Sequence, residues 1–227
     1  GDTRYQDANG DAVAAIESYI KVQEGDTLTI AKDTLIRDVA VHIAGAGDLA
    51  GSGVTVTGTH GVLDVDLDNV TLGKLGAEDG STLTVNAAGN VVVGTLTVNH
   101  ATATIKVVGD ITVHDLDVSD QATLNLNATA GNLTIETAAA ITGGSTADFN
   151  VDYGTIKNRD SVSGCSQWTI NASQATLKAA GDIAIDHLRI LNGSGVVISS
   201  LTDAGGKAVA ADANGIVGGG RYMGKTL

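Results

Sequence analysis

The chain has 227 residues, 43% of them hydrophobic, which is enough to bury a core in one large all-β unit or in two ordinary domains. Its net charge is −13 and its basic residues form no stripe, so nucleic acid is not an expected partner. The single cysteine, Cys165, excludes an internal disulfide and is expected to be an inert thiol. No apolar run approaches the roughly 18 residues that span a bilayer, so membrane insertion is not expected.

Residues 1–20 are predicted to form an N-terminal arm and cap. A polar, turn-rich opening is followed by Val13, Ile16 and Ile20, which are apolar and fall at helical spacing. A short helix here could cover the open end of a stack of β-strands. The alternative is a loop followed by a strand over residues 18–22.

From residue 21 to residue 203, short runs of alternating apolar and polar residues are separated by turns, as in a series of strands. Proline is absent and aromatic residues make up only 3% of the chain, so small aliphatic side chains must supply the core. One phrase recurs: Gly89-Asn90-Val91-Val92-Val93, Gly109-Asp110-Ile111-Thr112-Val113 and Gly131-Asn132-Leu133-Thr134-Ile135. The glycines are 20 and 22 residues apart, from 89 to 109 and from 109 to 131. Repetition at such a period is typical of stacked coils.

The phrase extends in both directions along the chain. Asp68 stands in the glycine's place 21 residues before the first phrase, and Gly181 restores the phrase 50 residues after the third. That longer interval is the span of two coils that each carry an insertion. Two further strands follow the phrase in each coil, as at residues 96–98 and 104–107. The sequence therefore predicts an all-β fold, a single parallel β-helix with three short strands per coil of about 20 residues. A β-sandwich also has regularly spaced strands, but it does not require one phrase to recur in order.

Residues 204–227 are predicted to form a glycine-rich C-terminal tail or cap. Their charge is +2, from three basic residues and one acidic residue, whereas the rest of the chain is acidic. Such a tail could contact a neighbouring subunit through Arg221, Tyr222 and Lys225, and a frayed terminus is the alternative. Because unpaired backbone groups at the ends of a rod must be covered, both termini are expected to act as caps or assembly elements.

Three carboxylates, Asp64, Asp66 and Asp68, alternate with apolar residues in one predicted strand. Alternation would place all three on the outer face. There they could bind Ca²⁺, which prefers several oxygen ligands, or act as acid and base in sugar cleavage. A solvated strand face is the simpler interpretation, since the calcium-binding nonapeptide repeat is absent. No cofactor is therefore expected, with Ca²⁺ as the single alternative.

The polar residue of each phrase is predicted to be structural. Asn90, Asp110, Asn132 and Asp182 all follow a glycine, and Asn and Asp satisfy backbone groups at turns. Their recurrence predicts a ladder of side chains along one corner of the coils.

The histidines are not predicted to form a metal site or a catalytic pair. His100, His114 and His187 fall on different coils without metal-ligand spacing. Asp115 and Asp186 each adjoin a histidine, but neighbouring residues of a strand point to opposite faces, so neither pair is expected to be in contact.

The long interval before Gly181 contains three of the six aromatic residues, Phe149, Tyr153 and Trp168. They could form a platform that stacks on a sugar ring or contacts a partner. Packing inside an enlarged coil is the alternative.

The glycine-led coils over about residues 54–200 resemble the parallel β-helix structural proteins of bacteriophage virions, such as tail spikes, fibres and capsid-decorating proteins. Phrases of the type Gly-Asn-Leu-Thr-Ile and Gly-Asp-Ile-Thr-Val are also similar to the repeats of filamentous-haemagglutinin-type bacterial adhesins. The resemblance is one of style and carries no family-specific motif, so no functional residue follows from it. It implies a homo-oligomer, a trimer in phage β-helix proteins, and partners among other virion or cell-surface proteins.

The expected function is therefore that of a non-catalytic structural protein located in the virion, which acts by self-assembly and docking. A secreted adhesin or extracellular filament subunit at the cell surface is the alternative. A polysaccharide-cleaving enzyme is the third hypothesis, since such enzymes also use this fold.

Overall fold

The computed structural model describes residues 17–158, 167–181, 183–185 and 187–200. These residues form an all-β, parallel solenoid of about 8 turns, with coils about 21 residues apart. The prediction of a parallel β-helix is thus confirmed. Within the described ranges there is no helix, and hence none that is long and apolar enough to cross a membrane.

The described residues contain twenty strands, and each pairs in parallel with a strand of a neighbouring coil. In chain order they are β1 (Glu17–Val22), β2 (Thr27–Ile30), β3 (Thr34–Arg37), β4 (Ala40–Gly45), β5 (Asp48–Thr57), β6 (Val62–Leu67), β7 (Asn69–Glu78), β8 (Thr82–Ala87), β9 (Val91–Asn99), β10 (Thr102–Val107), β11 (Ile111–Ser119), β12 (Thr123–Ala128), β13 (Leu133–Thr142), β14 (Thr146–Val151), β15 (Ile156–Asn158), β16 (Gln167–Asn171), β17 (Gln174–Ala179), β18 (Ile183–Ala184), β19 (His187–Leu191) and β20 (Gly195–Ser200).

Two sheets run along the solenoid. The nine-stranded sheet has the order β1-β4-β6-β8-β10-β12-β14-β17-β20. The eleven-stranded sheet has the order β2-β5-β7-β9-β11-β13-β15-β18, with β3 beside β5, β16 beside β13 and β19 beside β16. Because successive coils stay in register, each position of the coil forms a column of side chains parallel to the solenoid axis.

The coils follow the prediction of three strands most closely at the two ends of the solenoid. There the strands are separate, as in β2, β3 and β4. Between the ends, β5, β7, β9, β11 and β13 each join the first two predicted strands into one strand of nine or ten residues. Glycine permits close stacking within these long strands, because a Cβ at Gly94 would lie 2.4 Å from the carbonyl oxygen of Gly73 in the preceding coil.

Strict alternation along the strands produces a core of Val, Leu, Ile and Ala. In β8, for example, Leu83 and Val85 are buried, while Thr82 and Thr84 point outward. Each fully buried Val, Leu or Ile side chain contributes about 1.5–3 kcal/mol relative to exposure, so the inward columns are the main source of stability.

A ladder of polar side chains joins the coils at the corner where the glycine-led phrase begins. Asn69 Oδ1 accepts a hydrogen bond from the backbone N–H of Asn90 at 2.9 Å, and Asn90 Oδ1 accepts one from Asp110 at 2.8 Å. Asp110 Oδ1 accepts from the N–H of Asn132 at 2.7 Å, and Asn132 Oδ1 accepts from the N–H of Thr155 at 3.0 Å. The prediction of a ladder is confirmed for its described members.

Each phrase begins with glycine because the preceding coil approaches too closely to leave room for a Cβ. A Cβ at Gly109 would lie 2.3 Å from Asn90 Oδ1, and a Cβ at Gly131 would lie 2.3 Å from the backbone of Gly109. Gly154 continues the series, 23 residues after Gly131 and 27 before Gly181. The extra residues of the long interval therefore fall mainly in the second of its two coils.

The position of β1 distinguishes between a helix and a strand at the end of the N-terminal segment. β1 begins at Glu17, so a strand occupies the end of the segment that could have been helical, and a helix does not reach Ile20. The β-structure starts at least four residues before the boundary predicted at residue 21. Residues 1–16 lie outside the described residues.

Candidate functional site

The most regular exposed surface is the outer face of the nine-stranded sheet, which we call the polar face. It consists of three columns of side chains. The first includes Thr82, Thr102, Thr123 and Thr146; the middle column contains His42, Asp64, Thr84, Thr104, Asn125, Asp148 and Thr176; the third contains Asp66, Asn86, Lys106, Asn127, Asn150 and Lys178. Successive rows are about 4.8 Å apart, as set by the spacing of strands in a sheet.

The three predicted aspartates do not form one row. Asp64 and Asp66 lie on β6 and face outward, as alternation predicts. Asp68 follows the end of β6 at the glycine corner, where its backbone N–H donates to the carbonyl oxygen of Gly47 at 2.9 Å. In the described part of the chain, no group of three or more His, Cys, Asp or Glu residues could hold a metal ion.

Asp64 belongs instead to a small cluster at the N-terminal end of the polar face. Its Oδ2 atom lies 3.5 Å from His42 Nδ1, and the ring of Tyr19 stacks on His42 with centroids 4.8 Å apart. The three residues share the middle column on β1, β4 and β6, so the parallel register brings them together. The contact was missed from the sequence because His42 and Asp64 are a full coil apart.

A shallow groove of about 270 Å³ follows the third column at the edge of the polar face. Asp66, Asn86 and Lys106 line its polar side, and Ala88 and Val108 line its apolar side. On three successive coils, the carboxylate accepts hydrogen bonds, the amide both donates and accepts them, and the ammonium donates them. The two charged groups are of opposite sign. The groove therefore suits a neutral polar group better than a strongly charged one.

His114 and Asp115 correct the prediction that neighbouring residues of a strand stay apart. His114 Nδ1 lies 2.9 Å from Asp115 Oδ2, because the register of β11 against β13 shifts between Val113 and Asp115. Thr137 Oγ1 lies 3.3 Å from Nδ1 and 3.2 Å from Nε2 of the same ring. If Thr137 Oγ1 lay in the plane of the imidazole ring, these two distances would make it clash with Cε1. The hydroxyl therefore lies over the face of the ring. The cluster therefore lacks the in-plane alignment by which a base activates a nucleophile.

His100 forms a separate, solvated pair. Its Nδ1 atom lies 3.7 Å from Asp120 Oδ2 at the turn that enters the nine-stranded sheet, and more than half of each side chain is exposed. Exposed pairs of this kind contribute about 0–1 kcal/mol.

The aromatic residues are divided between the core and the surface. Phe149 and Trp168 are fully buried, with ring centroids 5.2 Å apart and planes inclined at 59°. Trp168 follows Ala139 in its inward column, so a small residue in one coil lies beside a large one in the next. Tyr153 is exposed. The three rings therefore do not form one platform, and the packing alternative describes Phe149 and Trp168.

Several other predicted residues lie outside the described residues: Cys165, Asp182, Asp186, Arg221, Tyr222, Lys225 and the whole tail 204–227. The same holds for the side chain of His187. Their predicted roles remain predictions.

No family model, curated protein or solved structure matches the chain. Among the described residues, the geometry offers an extended polar face, which includes the His42–Asp64 pair, and two further histidine–aspartate pairs elsewhere on the coils.

Proposed function

We propose that this chain is a non-catalytic structural protein of a bacteriophage virion, either a capsid-decoration protein or part of a tail spike or fibre. It acts by self-assembly and by docking to other virion proteins. The observation that carries the proposal is the polar face, a surface that continues in register over the nine-stranded sheet. The resemblance of the glycine-led coils to phage β-helix proteins supports the same assignment.

The size of the polar face suits docking to another protein. Nine strands at about 4.8 Å span about 40 Å, and strands of six residues span about 18 Å, which gives about 700 Å². A stable protein interface buries about 800 Å² on each partner. One face with its flanking corners therefore supplies a sufficient area.

The face is also rigid, which lowers the entropic cost of binding. The ladder of polar side chains and the backbone bonds between coils fix the spacing of the outward columns, as the 2.8 Å bond from the Asp110 N–H to Asn90 Oδ1 illustrates. A preorganised surface loses less conformational freedom when it docks.

The proposal is tested by measuring the mass of the protein in solution and its co-sedimentation with purified phage capsids, tails and host cells. Thr104→Glu places a charge at the centre of the polar face, and we expect it to weaken binding to particles by about tenfold. Thr134→Glu, an equivalent change on the outer side of β13, is the matched control and should leave binding unchanged. A monomer that binds neither particles nor cells would contradict the proposal.

The second candidate is a secreted adhesin or an extracellular filament subunit. The polar face favours it for the same geometric reason, since an extended rigid surface can also bind a cell-surface protein. Binding to host cells with none to virion particles would support this candidate. A third candidate, a polysaccharide-cleaving enzyme, would be supported by glycan degradation that disappears in the Asp64→Asn variant.

A further inference from the structure

Two neighbouring columns of the polar face consist mainly of threonine over four successive coils. On β8, β10, β12 and β14 the pattern Thr-x-Thr, or Thr-x followed by Asn or Asp, places two polar side chains outward in each coil. These strands pair residue for residue, with no register shift between them. We call this set of side chains the threonine array; its members are Thr82, Thr84, Thr102, Thr104, Thr123, Asn125, Thr146 and Asp148.

The threonine hydroxyls of the array are available to a partner outside the chain. None of them makes a hydrogen bond with another side chain or with the backbone in the part of the chain that the structure describes. Elsewhere in the solenoid, polar side chains bond to one another. Thr57 Oγ1 donates to Asp79 Oδ2 at 2.8 Å, for example, and Asn99 Nδ2 donates to Ser119 Oγ at 3.0 Å. The array therefore presents unused donors and acceptors in a regular pattern.

The side chains of the array are held rigidly. Threonine is branched at Cβ, which restricts its χ1 rotamers, and each of the four strands lies between two hydrogen-bonded neighbours. The inward residues that alternate with the array, such as Leu83, Ala103 and Leu124, are fully buried and anchor the strands in the core. A rigid surface loses little conformational entropy when it meets a second ordered surface.

The spacing of the array is similar to the spacing of oxygen atoms in ice. Successive coils place the threonines about 4.8 Å apart, and alternate residues of one strand lie about 6.6 Å apart. In ice each oxygen bonds to its neighbours at tetrahedral angles, and bonds of about 2.75 Å then give oxygen repeats of about 4.5 Å and, at right angles, about 7.3 Å. Both pairs of repeats agree to within about a tenth. From β8 to β14 the mismatch along the solenoid axis adds up to only about 1 Å.

The charge of the array is complementary to a neutral partner. The chain as a whole carries −13, yet Asp148, in the last row, is the only charged member of the array. Asp64 lies beyond the first row, and Asp66 and Lys106 lie in the third column. An uncharged array offers no electrostatic attraction to a nucleic acid, a lipid surface or a basic protein. Hydrogen bonds to neutral water molecules need no such attraction.

We propose that the threonine array is an ice-binding surface, which adsorbs to a crystal face of ice through hydrogen bonds between its hydroxyls and ordered water molecules. Each such bond is worth little more than a bond to liquid water. A rigid array that matches the lattice makes many of them together, so that the first contact positions the remaining hydroxyls for theirs. The adsorbed chain then blocks growth of the crystal beneath it. This inference does not depend on the proposed function.

The first test is the growth of ice grains in a frozen solution of the full chain, held just below the melting point. The wild-type chain should slow grain growth relative to buffer in proportion to its concentration. Thr104→Glu places a charge and a longer side chain in the centre of the array, and it should raise the concentration required by about tenfold or more. Thr134→Glu is the matched control, since it makes the same change on the outer side of β13 in the other sheet, and it should act like the wild type.

Two outcomes of this test would overturn the proposal. One is grain growth with the wild-type chain that equals growth in buffer alone. The other is an equal loss of activity in Thr104→Glu and Thr134→Glu, with both variants folded by circular dichroism.

Partition into slowly growing ice provides the second measurement. The wild-type chain should enter the ice, whereas Thr102→Lys should stay in the remaining liquid as ordinary solutes do. Thr102 is exposed, so this variant should fold normally, which circular dichroism checks. Val92→Lys, at an exposed residue of β9 outside the array, is the control and should enter the ice like the wild type. A wild-type chain that stays in the liquid, or a Thr102→Lys variant that enters the ice equally well, would overturn the proposal.

The two proposals can fail separately. A chain that co-sediments with virion particles but neither slows grain growth nor enters ice would refute the ice-binding surface and leave the proposed function standing. A chain that enters ice but binds no particle and no cell would refute the proposed function alone.

Discussion

The glycine-led phrase gives the sharpest test of the fold. Replacement of Gly131 by alanine would place a Cβ 2.3 Å from the carbonyl group of Gly109 and 2.6 Å from the backbone nitrogen of Asp110. Both obstacles are backbone atoms, which cannot rotate away as the end of a side chain can. Since ordinary contact begins at 3.4 Å, the two coils must move apart by about 1 Å at this corner.

That displacement would break the hydrogen bonds on either side of Gly131. The Ala130 N–H donates to the carbonyl oxygen of Val108 at 2.8 Å, and the Asn132 N–H donates to an aspartate oxygen at 2.7 Å. An added separation of about 1 Å takes both beyond the range of a hydrogen bond, and each loss costs about 1–2 kcal/mol. We therefore expect Gly131→Ala to lower the free energy of unfolding by about 2–4 kcal/mol.

Urea denaturation followed by circular dichroism measures this loss, and Gly193→Ala is the control. Gly193 also lies at a corner, but a Cβ there meets nothing within 4 Å, so only its φ of +72° opposes alanine. That conformation costs an L-residue about 1–2 kcal/mol. A Gly131→Ala variant that is no less stable than Gly193→Ala would refute the explanation of the glycines by close stacking of coils.

Three further substitutions test other parts of the structure. Asn132→Ala removes the acceptor for the Thr155 N–H and hydroxyl, and it should lower the free energy of unfolding in urea by about 1–2 kcal/mol. Trp168→Ala leaves a large cavity beside Phe149 and should cost about 3–5 kcal/mol by the same measurement. Because Trp168 is the only tryptophan and is fully buried, the native protein should show blue-shifted fluorescence that moves to longer wavelength on unfolding. Asp64→Asn should change the midpoint of thermal unfolding little, because its partly exposed contact with His42 is worth about 1 kcal/mol or less, and a larger shift would show that the pair is structural.

The sequence predicted the fold well because each coil repeats the same local requirements. At Gly109 and Gly131 the backbone of the preceding coil leaves no room for a Cβ. Asn90 and Asn132 accept hydrogen bonds from backbone N–H groups of the following coil. Such requirements recur once per coil, so they are visible as a period in the sequence. Gly154 was missed in this series because its phrase, Gly-Thr-Ile-Lys-Asn, carries threonine where the others carry Asn or Asp.

The candidate site was harder to predict because it depends on register and on irregular corners. The contact between His42 and Asp64 requires a strand pairing 22 residues apart, which alternation alone does not specify. The contact between His114 and Asp115 arises from a register shift that breaks the alternation rule. Outward positions face solvent, so packing places few restrictions on them, and no sequence period marks their function.

Asp68 shows how the glycine and the ladder depend on each other. Where the phrase begins with glycine, as at Gly89 and Gly109, the residue after the glycine donates its backbone N–H to a side-chain oxygen of the preceding coil. Asp68 occupies the glycine's place, and there Asp48 Oδ1 instead accepts from the side-chain amide of Asn69 at 2.9 Å. The bond between Asn69 and Asp48 thus joins two side chains, and from Gly89 onward the ladder consists of bonds with the backbone. The absence of a Cβ lets the lower side chain reach the backbone of the next coil, so the glycine and the polar residue act as one unit, which explains why they recur together.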